Sequence, residues 1–249
     1  MFGLSIPLLV AVVATFFVAG IVKGVTGMGL PTMSMAVLGA LLSPTAAAAL
    51  LVVPSLVTNV WQLLAGPRFI PIMRRLWPMM LAIVVGTVPG TSWLITGDTR
   101  FTAVALGIAL AVYSVYTLFA RQLHVPQRLE RWLSPVVGVT TGVISGGTGV
   151  FVIPAVPYLQ ALGLGKDDLV QALGLSFTVS TIALAVGLGA RGAFRLDDLA
   201  LSAFAVLPAL GGMWAGQVVR NGISPPMFRQ GFLVCLLALG VEMIMRPLL

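Results

Sequence analysis

The sequence predicts an all-helical, polytopic membrane protein of two four-segment repeats, the first segment of each broken at a Gly-rich stretch. Three observations carry this. First, 59% of the 249 residues are hydrophobic and only 8% are charged, whereas soluble domains carry about 25% charged residues. Second, six apolar stretches match the roughly 20 residues that a transmembrane helix needs. Third, one unusual stretch occurs twice. Gly20–Pro31 reads Gly-Ile-Val-Lys-Gly-Val-Thr-Gly-Met-Gly-Leu-Pro, and 122 residues later Gly142–Pro154 reads Gly-Val-Ile-Ser-Gly-Gly-Thr-Gly-Val-Phe-Val-Ile-Pro. Gly20, Gly24, Thr26 and Gly27 fall on Gly142, Gly146, Thr148 and Gly149, and Lys23 falls on Ser145. A Gly-rich break in an apolar segment, repeated in the second half, points to a transporter's substrate site.

The opening apolar run, Leu4–Val22, has no lysine or arginine before it. It lacks the charged start of a signal peptide and reads as mature structure. With its continuation to Leu42 it is too long for one straight crossing at about 1.5 Å per residue. Pro44–Gly66, Leu76–Gly97 and Thr102–Ala120 follow, each fit for one crossing. Arg121, His124, Arg128, Glu130 and Arg131 form a polar linker and divide the chain into repeats 1–124 and 125–249. Trp132–Leu164 holds the second break, with arms that read as too short to cross alone. Leu169–Ala190, Leu199–Val219 and Pro226–Met245 complete the second half. Arg229 and Glu242 lie near the ends of the last segment, where long side chains snorkel. Arg246 is the partner expected for Glu242 at i+4. At the same offset Thr58 and Asn59 meet Ser180 and Thr181, and Pro89-Gly90 meets Gly211-Gly212.

Two geometries fit the broken segments. Each segment crosses and leaves a tail at the interface, giving eight crossings and parallel repeats. Alternatively the arms form re-entrant hairpins with the glycines at the tip, giving three full crossings per half and inverted repeats. Lys23 aside, both place nine positive residues inside and four outside, so the positive-inside rule does not separate them. The hairpin is favoured because irregular backbone at membrane depth must be protein-buried or line a cavity.

The chemistry expected of the breaks is anion binding. Gly24, Gly27 and Gly29 do not make the dinucleotide fingerprint, and no strand–turn–helix surrounds them. Small residues such as Gly20 and Gly24 also serve close helix packing. Packing explains neither Lys23 nor the proline after each cluster. A lysine inside an apolar region is costly and marks function, and half-helix N-termini near Pro31 and Pro154 point positive dipole ends at the break. The candidate site is Lys23, Gly24, Thr26, Gly27 and Gly29 with Ser145, Gly146, Gly147, Thr148 and Gly149. Ser55, Thr58, Asn59 and Gln62 share one helix face, as do Gln171, Thr178 and Thr181. Of these stripes Thr58, Asn59, Ser180 and Thr181 are expected to supply neutral donors, although such stripes also simply join neighbouring helices.

Other classes are excluded. The net charge of +7 is spread between apolar runs and forms no basic stripe for nucleic acid. A single cysteine, Cys235, rules out an internal disulfide and any multi-cysteine metal site. The single histidine, His124, reads as a solvated linker residue and permits no Ser/His/Asp set. No acidic residue lies mid-segment for a proton relay. No catalytic residue, metal or cofactor is expected, and the partners are a small anion and the bilayer. The sequence leaves the oligomeric state, including a homodimer, open. A non-transporting membrane assembly protein is the alternative.

Gly20-x-x-Lys23-Gly24-x-x-Gly27-x-Gly29-x-Pro31, with Gly142-x-x-Ser145-Gly146-Gly147-x-Gly149 ending in Pro154, resembles the TauE/SafE family of sulfite and organosulfonate exporters, also called the toluene-sulfonate uptake permease family. The two-times-four layout extends the resemblance over essentially the whole chain. Val150 and Phe151 stand where that family often continues with glycine. The resemblance implies a carrier of small sulfur-containing or related organic anions in a bacterial inner membrane, with substrate and direction differing among members.

Overall fold

The structure is a computed structural model that describes residues 6–119, 123–194, 196–220 and 225–246, without the side chains of 196–198, 225 and 226. Arg121 of the linker and the first residues of the opening apolar run lie outside the described residues. The described residues form helices and no strand: α1 (Ile6–Thr26), α2 (Leu30–Leu41), α3 (Pro44–Leu64), α4 (Phe69–Thr96), α5 (Thr99–Phe119), α6 (Gln127–Thr148), α7 (Ala155–Ala161), α8 (Lys166–Gly189), α9 (Leu196–Phe204), α10 (Val206–Val219) and α11 (Pro225–Met245). Among the described residues seven segments are long and apolar enough to cross a membrane: α1, α3, α4, α5, α8, Leu199–Val219 across α9 and α10, and Met227–Met245 in α11. The chain is a multi-pass membrane protein.

Two boundaries differ from the expectation, and the first is that α4 begins at Phe69 rather than at Leu76. Arg128, Glu130 and Arg131 are not linker but the opening turns of α6, and Glu130 holds Arg75 of α4 through two hydrogen bonds of 2.7 and 2.8 Å. The arm before the second break is therefore 22 residues long, about 33 Å of helix, and longer than its apolar stretch alone suggests. Glu242 and Arg246 do pair, at 3.9 Å.

Glycines set how closely the helices approach. A Cβ on Gly20 would lie 2.3 Å from the Ala209 carbonyl oxygen, and one on Gly24 2.3 Å from that of Met213. On the other side, Gly142 and Gly146 would each meet a carbonyl oxygen at 2.4 Å, from Ile83 and Thr87. Without side chains between them the backbones touch, which is how membrane helices gain packing energy in lipid.

The same contacts fix direction. Gly20 faces Ala209 and Gly24 faces Gln217, so α1 runs parallel to α10. Gly138 faces Met79 and Gly146 faces Gly90, so α6 runs parallel to α4. Gly174 lies against Leu63 and Gly66 against Gln171, so α3 and α8 are antiparallel. Arg68 pairs with Asp168 while Thr91 lies against Gly187, so α4 and α8 are parallel. Ser202 bonds to Leu50 early in α3, and Arg220 shares a cavity with Gln62 late in α3, so α10 follows α3. Hence α1 and α3 point the same way with α2 turning back between them. Likewise α6 and α8 point together, opposite to the first set, with α7 between them.

One end of the bundle then carries Arg68, Arg74, Arg75, Arg128, Arg131, Lys166, Arg220 and Arg229. The other carries Arg100, Arg191 and Arg246 among the described residues. Trp61, Trp77, Trp132 and Trp214 are exposed toward the arginine-rich end, where amphipathic rings suit a membrane interface.

A cation-lined cavity at the first helix break

Both breaks are made the same way. Gly27 and Gly29 sit at φ 78° and 103°, and Gly149 at φ 71°, a left-handed region that costs a residue with a Cβ. In the first break the Gly27 N–H donates to the Lys23 carbonyl at 2.8 Å, and the Thr26 hydroxyl donates to the Val22 carbonyl at 2.8 Å. The Met28 N–H donates back to that hydroxyl at 3.3 Å. In the second, Gly149 N–H donates to Ser145 at 2.8 Å, Thr148 donates to Ile144 at 2.6 Å, and Val150 N–H donates to the Thr148 hydroxyl at 3.2 Å. A threonine–glycine pair thus caps the end of each long helix and satisfies backbone groups that lipid cannot.

Lys23 lies one turn inside the first break and is 3% exposed. Its ammonium donates to Thr58 Oγ1 at 3.1 Å and to Asn59 Oδ1. Asn59 in turn donates from Nδ2 to Thr181 Oγ1 at 3.3 Å, and Thr181 donates to the Phe177 carbonyl at 2.7 Å. This chain of polar contacts joins α1, α3 and α8. All of Lys23's partners are neutral, and among the described residues it has no ion pair.

Above it opens a cavity of about 510 Å³, lined by Lys23, Gly24, Thr26 and Gly27 together with Gln62, Gln217, Lys166, Arg220 and Arg229. Its walls include Met28, Trp61, Tyr113, Leu173, Met213 and Phe232. Among the described residues four cations and no acidic residue line it, and its rim stands at the arginine-rich end. Such a site attracts an anion and offers an organic body an apolar wall.

The remaining expected site residues are placed elsewhere. Thr58, Asn59 and Thr181 touch the site only through Lys23. A Cβ on Gly29 would meet Val22 and Phe232, so this glycine serves the turn. Ser145 is buried, donates to the Gly142 carbonyl at 3.0 Å and lies 3.2 Å from the Thr87 hydroxyl. Gly146 packs on α4, Gly149 lies against Met35, and Gly147 and Thr148 line an apolar groove of about 620 Å³ with Gly90 and Trp93. Ser180 is buried with no partner for its hydroxyl among the described residues. Gln171 is structural: it donates to the Leu63 and Gly66 carbonyls at 2.7 Å and accepts from Arg68 N–H at 2.9 Å.

Lys166, Arg220 and Arg229 lie outside the site that the sequence predicts. Each lies at a helix boundary, where a cation ordinarily reads as a solvated or snorkelled end. The usable signal was that all three boundaries lie at the end toward which α1 runs.

No curated protein and no solved structure matches the chain. The sequence profile of the sulfite exporter TauE/SafE family matches residues 12–243, nearly its whole length. The long apolar helices, the two glycine-built breaks and that match agree: the chain belongs to the TauE/SafE family of membrane transporters.

Proposed function

We propose that the protein is a secondary transporter of a small anion, such as sulfite, an organosulfonate or a related organic acid, and that Lys23 is its charged contact. One observation carries this reading: among the described residues, a buried lysine with only neutral partners forms the floor of a cavity lined by three more cations and no acid. A charge withdrawn from water without a counter-charge is costly, and an incoming anion supplies what is missing.

The opposed directions of the two hairpin sets support inverted repeats with three full crossings per half, the layout used for alternating access. The excess of arginine at the cavity's end supports a cytoplasmic mouth in a bacterial inner membrane, with the start of α1 and the end of α11 toward the periplasmic side. In this conformation the anion docks at the first break, and the second break faces the opposite end.

The test is transport by purified protein in liposomes, wild type beside Lys23→Gln. Loss of Lys23 removes a charged hydrogen bond of roughly 1.5–3 kcal/mol, so affinity falls about tenfold to a hundredfold. The protein still inserts and elutes as one species. Wild-type transport and affinity in Lys23→Gln would leave Lys23 a helix tie to Thr58 and Asn59 and favour a non-transporting membrane assembly protein.

A further inference from the structure

We propose that Arg100 and Arg246 form a phosphate site at the end of the bundle opposite the Lys23 cavity, and that a phospholipid headgroup occupies it. This site is independent of whatever meets Lys23.

Glycine contacts bring the two arginines together. A Cβ on Gly107 of α5 would lie 2.7 Å from the Gly240 carbonyl oxygen of α11, and one on Gly240 2.7 Å from that of Gly107. Gly107 also faces Met243 and Ile244 while Gly240 faces Ala111, so α5 and α11 are antiparallel. The start of α5 therefore meets the end of α11. Arg100 and Arg246 line one cavity of about 470 Å³, together with Ala40 and Leu42 at the turn from α2 to α3.

Charge and hydrogen bonding point to an anionic ligand. Among the described residues three cations stand at this end, and two of them share this cavity. Orientation in the membrane calls for few cations here, so the convergence of two has another cause. Arg246 is partly engaged. Its Nη1 donates to the Ala40 carbonyl at 2.8 Å, one of the carbonyls that the end of α2 leaves without a helical donor, and its Nε lies 3.9 Å from Glu242. Arg100 is not engaged. Its backbone N–H donates to Asp98 at 2.8 Å, but its guanidinium has no hydrogen bond or ion pair among the described residues. Neither Asp98 nor Glu242 lines the cavity. Two guanidinium groups offer the forked donors that match phosphate oxygens.

The surroundings suit a lipid better than a free anion. Leu41, Phe101 and Met245, each next in sequence to a lining residue, are exposed apolar side chains. With the headgroup in the cavity, acyl chains lie along them, and basic pockets between membrane helices are where headgroups are recognised. At about 30 Å³ per water, the cavity has room for a phosphodiester and its glycerol. A lipid held there ties α2, the return arm of the first break, to α5 and α11.

The test is photocrosslinking of the full-length protein in detergent with phosphatidylglycerol that carries a diazirine near the start of one acyl chain, with adducts mapped by peptide mass spectrometry. Adducts are expected at Leu41, Phe101 and Met245. Loss of one charge-assisted hydrogen bond should lower them about tenfold in Arg100→Gln and in Arg246→Gln, and Arg191→Gln at the same end should leave them within about twofold of wild type. Arg100→Gln is the cleaner variant, because it breaks no contact within the protein. A diazirine diacylglycerol with the same chains and no phosphate should label these residues about tenfold less. Absence of adducts there, equal labelling by the two lipids, or labelling that survives Arg100→Gln overturns the site. Displacement by glycerol 3-phosphate at the concentration at which unlabelled phosphatidylglycerol competes overturns the lipid as occupant and assigns the cavity to a soluble phosphate.

Discussion

The two helix breaks share a threonine–glycine cap and differ in the residue one turn before it. Each ends a long helix with threonine and a left-handed glycine, each lies beside a helix held at glycine distance, and each is followed by a proline-bearing return helix. At the equivalent position one carries Lys23 and the other Ser145. Lys23 faces a cavity with three further cations at its lining, and Ser145 closes on Thr87 and the Gly142 carbonyl. The glycines and threonines thus build the break, and in the reading proposed above the residue one turn before it sets whether the break offers a charge to a ligand.

The sharpest way to break this comparison is to neutralise the lysine from its own side. Asn59→Asp replaces the neutral acceptor of the Lys23 ammonium with a carboxylate of the same shape, so the anion would compete with an internal ion pair. Anion affinity should fall about tenfold to a hundredfold, the scale of a charged hydrogen bond, with Ser145→Ala within about twofold of wild type in the same titration. Wild-type affinity in Asn59→Asp would mean that Lys23 does not meet the anion.

A smaller effect should be common to both halves. Alanine at a left-handed glycine costs roughly 1–2 kcal/mol, so Gly27→Ala and Gly149→Ala should both lower the thermal unfolding midpoint. The second should cost more, because its Cβ would lie 2.8 Å from the Met35 sulfur whereas that of Gly27 meets only Val170 at 4.0 Å. A greater loss in Gly27→Ala would contradict the two breaks' shared construction. The smallest change is Thr26→Val beside Thr148→Val. Each removes one hydroxyl cap worth about 0.5–1.5 kcal/mol, and the two midpoints should shift alike.

What the sequence discloses follows from what lipid permits. Apolar length and a repeated glycine pattern make the crossings and the breaks readable, because backbone at membrane depth has few solutions. Lys23 stands out for the same reason: charge is scarce there. The boundary at Arg128–Arg131 is less readable, because a polar helix start looks like a linker when its tie, Arg75 to Glu130, is 55 residues away in the chain. Lys166, Arg220 and Arg229 are invisible as a group, since only the directions of α8, α10 and α11 bring them over one mouth. Ser145 and Gly146 match their counterparts in register, yet register cannot report that α4 fills the space beside them.

The middle of the first half is finished by the second. Pro54 has no N–H, so the Leu50 carbonyl lacks its helical donor. Ser202 donates to it at 2.7 Å and also accepts from the Val53 N–H at 3.2 Å. At the far end of α3, Gln171 takes up the Leu63 and Gly66 carbonyls. During synthesis, α3 therefore enters the bilayer with its orphan groups waiting on residues more than a hundred positions away. Of these, the Leu50 carbonyl lies within the span, where an unpaired group costs several kcal/mol in hydrocarbon. A nascent first half has reason to stay near the insertion machinery, with its water and helper surfaces, until α8 and α9 arrive. The hydrogen bonds that complete α3 thus come from the same half that supplies Thr181 to the polar chain at Lys23.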